Sequence, residues 1–279
     1  MDKEFNFKKK FGQNFIHNEE IINRIATAIT PKHNNLVIEV GPGGGALTKK
    51  LKNHFDNVLA YEIDLDLKST LEKEFHDSNV SFIFDDFMIR NIEEDVSKYS
   101  VDHIYFVANL PYYITTPIVQ KIINSKLDVE SIVIMVQKEV ADRFSANVGT
   151  KEYNSLTVFL NYYYDIKKLF VVSRNNFYPI PNVDSAVVQL SKKENIQLVK
   201  NEDLFFSLVR DSFKYKRKTL KNNLKGYNLD KIEVVLNRYS MDLSIRAEQL
   251  PLDVFIEIAN NLGDYKISTL QEKSSNKTI

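Results

Sequence analysis

A short segment with an amide, a proline and an aromatic ring, Asn109-Leu110-Pro111-Tyr112, follows the apolar run His103–Ala108 directly. We interpret the run as a buried strand, so the segment lies at a strand's carboxyl end, where open α/β sheets bind ligands. These groups suit a planar base with an exocyclic amine, because the oxygens accept its N–H bonds while the ring stacks on the base. An Asn-x-Pro turn that only ends a strand would contain the same residues.

A second candidate site is the glycine-rich turn Gly41-Pro42-Gly43-Gly44-Gly45, which stands between a predicted strand and a predicted helix. Its spacing matches the relaxed dinucleotide fingerprint, and Glu62 ends the next predicted strand roughly 20 positions later, where an acid can bind ribose hydroxyls. The two features together indicate an adenosine-binding site. Taken singly, such a turn also packs helices on sheets, and such an acid also occurs at solvated strand ends.

Asp85 and Asp86 follow the third predicted strand, where a carboxylate can accept the amine of a cofactor's adenine. A metal pair is disfavoured, because neighbouring residues on an extended chain point apart. The two acids are also compatible with the plain start of a loop.

Four candidate groups therefore follow four successive predicted strands: the glycine turn, Glu62, Asp86 and the Asn109–Tyr112 segment. A nicotinamide oxidoreductase would use the glycine turn but would have no use for Asn109 and Tyr112. An S-adenosylmethionine (SAM)-dependent methyltransferase that acts on an amino group would use all four.

Hydrophobic periodicity predicts the elements that position these residues. The predicted strands are Leu36–Val40, Val58–Glu62, Val80–Phe84, His103–Ala108, Ser131–Gln137, Leu156–Tyr164 and Ser185–Leu190. The predicted helices among them are Ala46–Phe55, Leu65–Phe75, Pro117–Asn124 and Lys138–Ala146. Alternation of apolar strands with helices is typical of an α/β fold with a mostly parallel, doubly covered sheet.

The pattern changes near Ser191, after which only helical spacing occurs, in Asp203–Leu224, Lys231–Tyr239 and Leu252–Leu262. We therefore expect a sheet domain over residues 1–192 and a small helical domain over 193–279, with a frayed tail from residue 269.

Composition excludes several classes of function. The chain has no cysteine, which rules out disulfides, thiolate catalysis and Cys-ligated zinc, and fits a reducing cytoplasm. The five histidines show no ligand-like spacing, so we expect no metal. We also find no apolar run long enough to cross a membrane and no signal-peptide pattern.

Lys+Arg and Asp+Glu balance at 37 each, so only the distribution of charge is informative. Two basic clusters stand out, and although charge runs are usually solvated faces, two on a neutral protein favour a polyanionic partner. They are Lys8, Lys9 and Lys10 at the start, and Lys214, Lys216, Arg217, Lys218, Lys221 and Lys225.

A series of motifs in order resembles the ribosomal RNA adenine N6-dimethyltransferases over about residues 8–260. They are Gln13-Asn14-Phe15, Glu39-Val40-Gly41-Pro42-Gly43, Ala46-Leu47-Thr48, Glu62-Ile63-Asp64, Asn109-Leu110-Pro111-Tyr112, Gln137 to Arg143, Gly149 to Tyr153, Phe177-x-Pro179-x-Pro181-x-Val183-Asp184-Ser185 and Arg217 to Leu224. Ile16, Asn154 and the Lys-rich run at 216–218 depart from the family's usual residues.

The resemblance implies a Rossmann-like SAM-dependent methyltransferase sheet with a small C-terminal α-helical domain. It implies SAM as cofactor, and as partner 16S rRNA within the immature small ribosomal subunit, where the family's housekeeping branch dimethylates two adjacent adenosines in the hairpin near the 3′ end. We also expect a monomer. Alternatives are the macrolide-resistance branch, which modifies large-subunit RNA, and an RNA-binding assembly factor with secondary methylation.

The resemblance also implies roles for individual residues. Cofactor contacts would come from Asn14, Ile16, Gly41, Gly43, Glu62, Asp86 and Asn109. The target base would meet Asn109, Leu110, Pro111, Tyr112 and Phe177. In this scheme Asn109 bridges cofactor and base, while Tyr112 and Phe177 cover the two faces of the base.

Overall fold

A mixed β-sheet with associated helices forms the first part of the fold. The computed structural model describes residues 15–263; the predictions for Lys8, Lys9, Lys10, Asn14 and the tail from residue 269 lie outside the described residues. The strands are β1 Phe15–Ile16, β2 Asn35–Val40, β3 Asn57–Tyr61, β4 Val80–Ile83, β5 His103–Asn109, β6 Val129–Gln137, β7 Tyr164–Val172, β8 Phe177–Tyr178 and β9 Ser185–Lys192.

Eleven α-helices occur among residues 15–263. They are α1 Glu19–Ala26, α2 Thr48–Leu51, α3 Lys68–Glu74, α4 Ile92–Val96, α5 Thr115–Asn124, α6 Lys138–Phe144, α7 Ser155–Tyr163, α8 Glu202–Ser212, α9 Leu220–Asn223, α10 Leu229–Arg238 and α11 Leu252–Leu262. Short 3-10 turns cover Leu65–Leu67, Arg174–Asn176 and Ala247–Gln249.

Seven strands pair in the order β4-β3-β2-β5-β6-β9-β7. The five from β4 to β6 are parallel, and β9 and β7 add antiparallel pairs at one side. The mostly parallel sheet predicted from the sequence is therefore confirmed, and the predicted strands apart from Leu156–Tyr164 fall within a few residues of observed ones.

Strand β2 is buried at all six positions, as expected for the centre of a covered parallel sheet. Its two polar residues have partners: the Asn35 amide donates to Asp56 at 3.0 Å, and Glu39 accepts from Thr48 Oγ1 at 2.6 Å. Burial without such partners would cost free energy, so these pairs allow polar groups inside the sheet.

The chain forms two compact units. The first runs to Ser145 and includes Tyr164–Lys192, and the second combines Ala146–Tyr163 with the chain from Lys193 onward. The expected domain of residues 1–192 therefore needs correction for 146–163, a segment that packs with the C-terminal helices.

The predicted strand Leu156–Tyr164 is wrong, because residues 156–163 belong to helix α7 and only Tyr164 begins strand β7. A short apolar run of this kind does not distinguish a buried strand from a buried helix. Asn154 favours the helix locally, since its side-chain oxygen accepts the backbone N–H of Leu156 at 2.9 Å at the helix start. The strand that does pair at the sheet's edge is β7, whose charged residues obscure its pattern.

The second unit is helical, as expected, with a core that includes Leu204, Phe205, Val235 and Phe255. The predicted continuous helix Asp203–Leu224 is interrupted, however. Helix α8 ends at Ser212, and residues 213–219 form turns before α9 begins at Leu220.

Candidate functional site

The candidate site lies where the sheet's strand order reverses. The chain proceeds from β2 to β3 and β4 on one side, whereas β5 pairs with the other side of β2. Because both strands are parallel, Gly41 after β2 and Asn109 at the end of β5 reach the same edge, at the topological switch point where such folds bind ligands.

An open cleft with about 970 Å³ of empty space, its solvent-filled mouth included, lies at this edge. Its lining includes Phe15, Ile16, Glu39, Gly41 to Gly44, Glu62, Ile63 and Asn109 to Tyr113. Three of the four predicted groups, namely the glycine turn, Glu62 and the Asn109–Tyr112 segment, therefore border one cavity.

Backbone geometry explains why two positions of the turn, 41 and 43, are glycine. Gly41 has a φ of 75° and donates its N–H to the Tyr61 carbonyl at 2.9 Å, which joins the turn to β3. Gly43 has a φ of 54°, and a Cβ there would lie 2.8 Å from Phe15 Cε1. At Gly41 a Cβ would meet no atom within 4 Å, so the turn leaves open space toward the cleft.

Glu62 is held rigidly at the end of β3. It is only 1% exposed, and its two oxygens accept backbone N–H groups, Gly43 at 2.9 Å and Asp64 at 2.8 Å. Burial raises the pKa of Glu62 above its ordinary value, against the lowering effect of these two hydrogen bonds. A carboxylate has about four acceptor positions, so Glu62 keeps capacity for a hydroxyl donor from a ligand.

Glu39 is a second buried carboxyl in the cleft lining. Burial raises the pKa of Glu39 to about 8, the hydrogen bond from Thr48 opposes this rise, and the nearby Glu62 adds to it. Between its ordinary pKa of 4.5 and about pH 8, Glu39 is therefore a neutral acid where an ordinary carboxyl is ionised.

The Asn109–Tyr112 segment is anchored at several points. The Leu110 N–H donates to the Met135 carbonyl on β6 at 3.2 Å, and the Pro111 carbonyl accepts the Thr115 hydroxyl at 3.1 Å at the start of α5. The Tyr112 hydroxyl lies 2.7 Å from Ser185 Oγ. Burial raises the pKa of the Tyr112 phenol, so the ring is a neutral hydrogen-bonding group.

Two predicted site residues do not line the cleft. Asp86 lies in the loop after β4, where its Oδ1 accepts the Met88 N–H at 2.8 Å. Phe177 needs correction as a ring over the target base, because it is 2% exposed and belongs to the core of the first unit. Its apolar ring is buried, and only its strand partner Ile16 lines the cleft.

The pairing of β1 with β8 explains how Phe15 and Ile16 reach the cleft. Phe15 pairs with Tyr178 and Ile16 with Phe177, and just beyond them the His17 N–H donates to the Asn176 carbonyl at 3.1 Å. Phe15 and Ile16 therefore form one wall of the cleft.

Four basic residues of the second unit, Lys214, Lys216, Arg217 and Lys218, lie within residues 213–219, which we call the basic turn. Asn223 holds it, because its amide donates to the Ser212 carbonyl at 2.6 Å and its oxygen accepts the Tyr215 N–H at 3.2 Å. The sequence predicted a helix here, but these residues are not helical. The predicted phosphate-binding side chains of the basic turn and of α9 are all exposed: Lys214, Lys216, Arg217, Lys218 and Lys221.

Several lining residues were not chosen from the sequence. Glu39 could have been recognised as a candidate from the sequence, since it is a charged residue inside an apolar strand. Tyr113, 63% exposed at the cleft, follows the motif directly. Ser185 does not line the cleft but contacts Tyr112, across 73 positions that spacing does not reveal.

Within residues 15–263, no group of three or more His, Asp or Glu side chains is arranged to hold a metal ion. The helices described in this range are also too short or too polar to span a membrane.

Comparison with known proteins agrees with this geometry. The family model described as Ribosomal RNA adenine dimethylase matches residues 4–264. The chain is 41% identical over 261 residues to "Ribosomal RNA small subunit methyltransferase A" of Fusobacterium nucleatum, covering 91% of this chain and 97% of the relative. The corresponding protein of Anoxybacillus flavithermus is 40% identical over 268 residues, covering 92% and 91%.

Solved structures show the same fold. A dimethyladenosine transferase from Plasmodium falciparum superposes with a TM-score of 0.73 at 28% identity, over 88% of this chain and 95% of that one. The 23S rRNA methyltransferase ErmE gives a TM-score of 0.73 at 24% identity, over 89% and 99%, which is a likeness of fold alone. The sheet, the cleft at its switch point and the likeness to the Plasmodium falciparum enzyme together define a Rossmann-like methyltransferase. The chain belongs to the ribosomal RNA adenine dimethylase family.

Proposed function

We propose that this protein transfers methyl groups from SAM to the N6 atoms of two adjacent adenosines in the hairpin near the 3′ end of 16S rRNA. One observation carries the proposal: the Asn109–Tyr112 segment lines the same cleft as the glycine turn and Glu62. The names of the relatives, ribosomal RNA small subunit methyltransferase A, support the small subunit as substrate.

The cleft residues fit SAM. The open space at Gly41, where a Cβ would meet nothing, admits a ligand close to the backbone, and Glu62 retains acceptor capacity for ribose hydroxyls. Ile16, Gly43 and Asn109 border the same space, and Asn14 and Asp86 complete the proposed cofactor contacts. When bound, SAM would supply a methyl group on a sulfonium sulfur, which leaves as a neutral thioether when the S–CH₃ bond breaks.

The protein's chemical task is then to present the adenine amine. Its N6 lone pair is delocalised into the ring, so the nitrogen is a weak nucleophile. We propose that the Asn109 side-chain oxygen and the Leu110 carbonyl accept the two N–H bonds and favour a more pyramidal nitrogen. No strong base is required, because the protonated amine product loses its proton readily. Catalysis is chiefly orientation and electrostatics.

Tyr112 is proposed to stack on the flipped adenine. Base–aromatic stacking contributes about 1–3 kcal/mol, which helps to offset the cost of taking a base out of the RNA. The hydroxyl contact with Ser185 and the anchored backbone on either side leave the ring a defined place at the cleft.

The basic turn and Lys221 are proposed to contact RNA phosphates, which position the substrate without reading its sequence. The proposed partner is 16S rRNA within the immature small subunit. We further propose that the protein acts as a monomer in the cytoplasm and without a metal.

Undermethylated small subunits and large subunits, each incubated with the protein and labelled SAM, test the proposal. Label in small-subunit RNA alone is expected. Label only in large-subunit RNA would indicate the resistance-type activity. No transfer and no SAM binding by calorimetry would indicate an RNA-binding assembly factor instead.

A further inference from the structure

The hydrogen bond between Tyr112 and Ser185 joins two distant parts of the first unit at the cleft. The two hydroxyl oxygens lie 2.7 Å apart although the residues are 73 positions apart in the chain. Ser185 is 0% exposed, whereas Tyr112 is half-buried and forms part of the cleft lining. A buried, fixed hydroxyl therefore binds the tip of a ring that faces the ligand space.

Ser185 is well suited to act as a fixed point. As the first residue of β9 it pairs with Gln137 of β6 on one side and Val172 of β7 on the other. The residue before it is also tied, because the Asp184 carbonyl accepts the Lys138 N–H at 3.0 Å and its carboxylate accepts the Arg174 N–H at 2.9 Å. The Ser185 backbone thus has little freedom to follow the ring.

Tyr112, by contrast, lies in a turn, and its ring orientation depends on two side-chain torsions. An aromatic terminal torsion is broad, so backbone anchoring alone does not define the plane of the ring. The phenol oxygen lies on the axis of this torsion, so a hydrogen bond there fixes first the direction of the ring axis. Because the phenol O–H and lone pair lie near the ring plane, a fixed partner such as Ser185 Oγ also favours the ring plane that contains it. The plane of the ring determines the plane of any base stacked on it, and therefore the direction of that base's exocyclic nitrogen.

We propose that Ser185 is a positioning residue that sets the plane of the Tyr112 ring and through it the angle at which the target adenine presents N6. This inference rests on the proposed function. A residue with this role acts on the methyl-transfer step rather than on cofactor binding, which takes place at the glycine turn and Glu62.

A double-mutant cycle tests the proposal, with Ser185→Ala, Tyr112→Phe and the double variant assayed on undermethylated small subunits. Each single variant loses the same hydrogen bond, so kcat should fall by about three- to tenfold in each, as expected for one such bond, and the double variant should fall no further. The affinity for SAM, measured by calorimetry, should not change.

Ser131→Ala is the matched control. Ser131 is also a buried serine of this sheet, its Oγ accepts Gln189 Nε2 at 3.3 Å, and it pairs with Ser191 at the opposite end of β6 and β9. The control should keep the wild-type kcat, and thermal melting of all variants separates loss of fold from loss of orientation.

Nuclear magnetic resonance of protein labelled with ¹³C-tyrosine gives a readout that needs no substrate. The Tyr112 ring signal, assigned by its loss in Tyr112→Phe, should shift or change its exchange broadening in Ser185→Ala and stay unchanged in Ser131→Ala. An unchanged Tyr112 signal in Ser185→Ala, or additive losses of kcat in the cycle, would overturn the proposal. If Ser185→Ala does not fold, an undiminished kcat in Tyr112→Phe would overturn it equally. Failure of the wild type to methylate small subunits contradicts the proposed function, and the ring signal still tests the positioning role.

Discussion

The backbone N–H of Gly43 donates to Glu62 Oε2 at 2.9 Å, so the glycine turn after β2 and the acid after β3 hold each other. Glu62 has a second donor in the Asp64 N–H at 2.8 Å. The carboxylate is therefore oriented by the protein itself, which lowers the cost of ordering it when a ligand binds.

Gly43→Ala should destabilise the free protein. The φ of 54° is costly for alanine, by about 1–2 kcal/mol, and the new Cβ would press on the Phe15 ring. Denaturant unfolding measures the effect. Gly44→Ala is the control, since Gly44 has no positive φ and a Cβ there meets no atom within 4 Å. Equal stability of the two variants would contradict the role of the turn geometry.

Glu62→Gln should weaken SAM binding by roughly tenfold or more, because hydrogen bonds to a charged acceptor contribute about 1.5–3 kcal/mol. The amide also cannot accept at both of its terminal atoms, so either Gly43 or Asp64 loses its acceptor. Calorimetry with SAM measures the change. Glu72→Gln, in an exposed pair with Lys68, should bind SAM like the wild type. Unchanged affinity in Glu62→Gln would remove Glu62 from the cofactor site.

Glu39 should make stability depend on pH. Burial raises its pKa from 4.5 to about 8. Between these values the folded protein retains a proton that the unfolded chain has released, so the free energy of unfolding falls as the pH rises. Glu39→Gln is neutral at every pH and lacks this fall.

Denaturant unfolding at pH values from about 5 to about 8 should therefore show Glu39→Gln gaining stability relative to the wild type as the pH rises. Both proteins keep Glu62, whose pKa is also raised, so its contribution largely cancels in the difference. A difference that stays constant with pH would show that Glu39 is ionised in the folded protein.

Asn109→Ala should abolish methyl transfer while the protein keeps its fold and its SAM affinity within about tenfold. The side chain is proposed to orient the adenine amine, whereas Leu110 anchors the segment through its bond to Met135. Transfer of label to small subunits and thermal melting measure the two properties. Retained turnover would exclude Asn109 from the mechanism.

Replacing Lys216, Arg217 and Lys218 by alanine should weaken RNA binding and flatten its salt dependence, by about 0.7–0.9 in logarithmic slope for each phosphate that the protein no longer neutralises. Titrations at several salt concentrations measure the slope. A variant with Lys73, Lys126 and Lys167 replaced loses the same charge from exposed positions of the first unit. Equal slopes for the two variants would show that the basic turn has no specific role in RNA binding.

The sequence was sufficient for much of the sheet because its strands are near-continuous apolar runs, and the strand ends identified the glycine turn, Glu62 and Asn109. It failed where local pattern and tertiary context compete. Leu156–Tyr164 is apolar enough for either a strand or a helix, and its packing with α8 in the second unit makes it helical.

The site residues divide in the same way. The glycine turn, Glu62 and Asn109 border one cleft because the carboxyl ends of parallel strands share one edge, whereas Asp86, which also follows a strand, does not line it. Phe177 was misjudged because a motif position does not reveal whether a ring points to a cleft or to the core. Ser185 was missed because its contact with Tyr112 depends on the pairing of β9 with β6 and β7.

Mass spectrometry of 16S rRNA, taken from undermethylated small subunits after incubation with this protein and SAM, tests the central claim most directly. We expect two adjacent adenosines near the 3′ end each to gain two methyl groups on N6. Unmodified adenosines after incubation with folded, SAM-binding protein would contradict the claim.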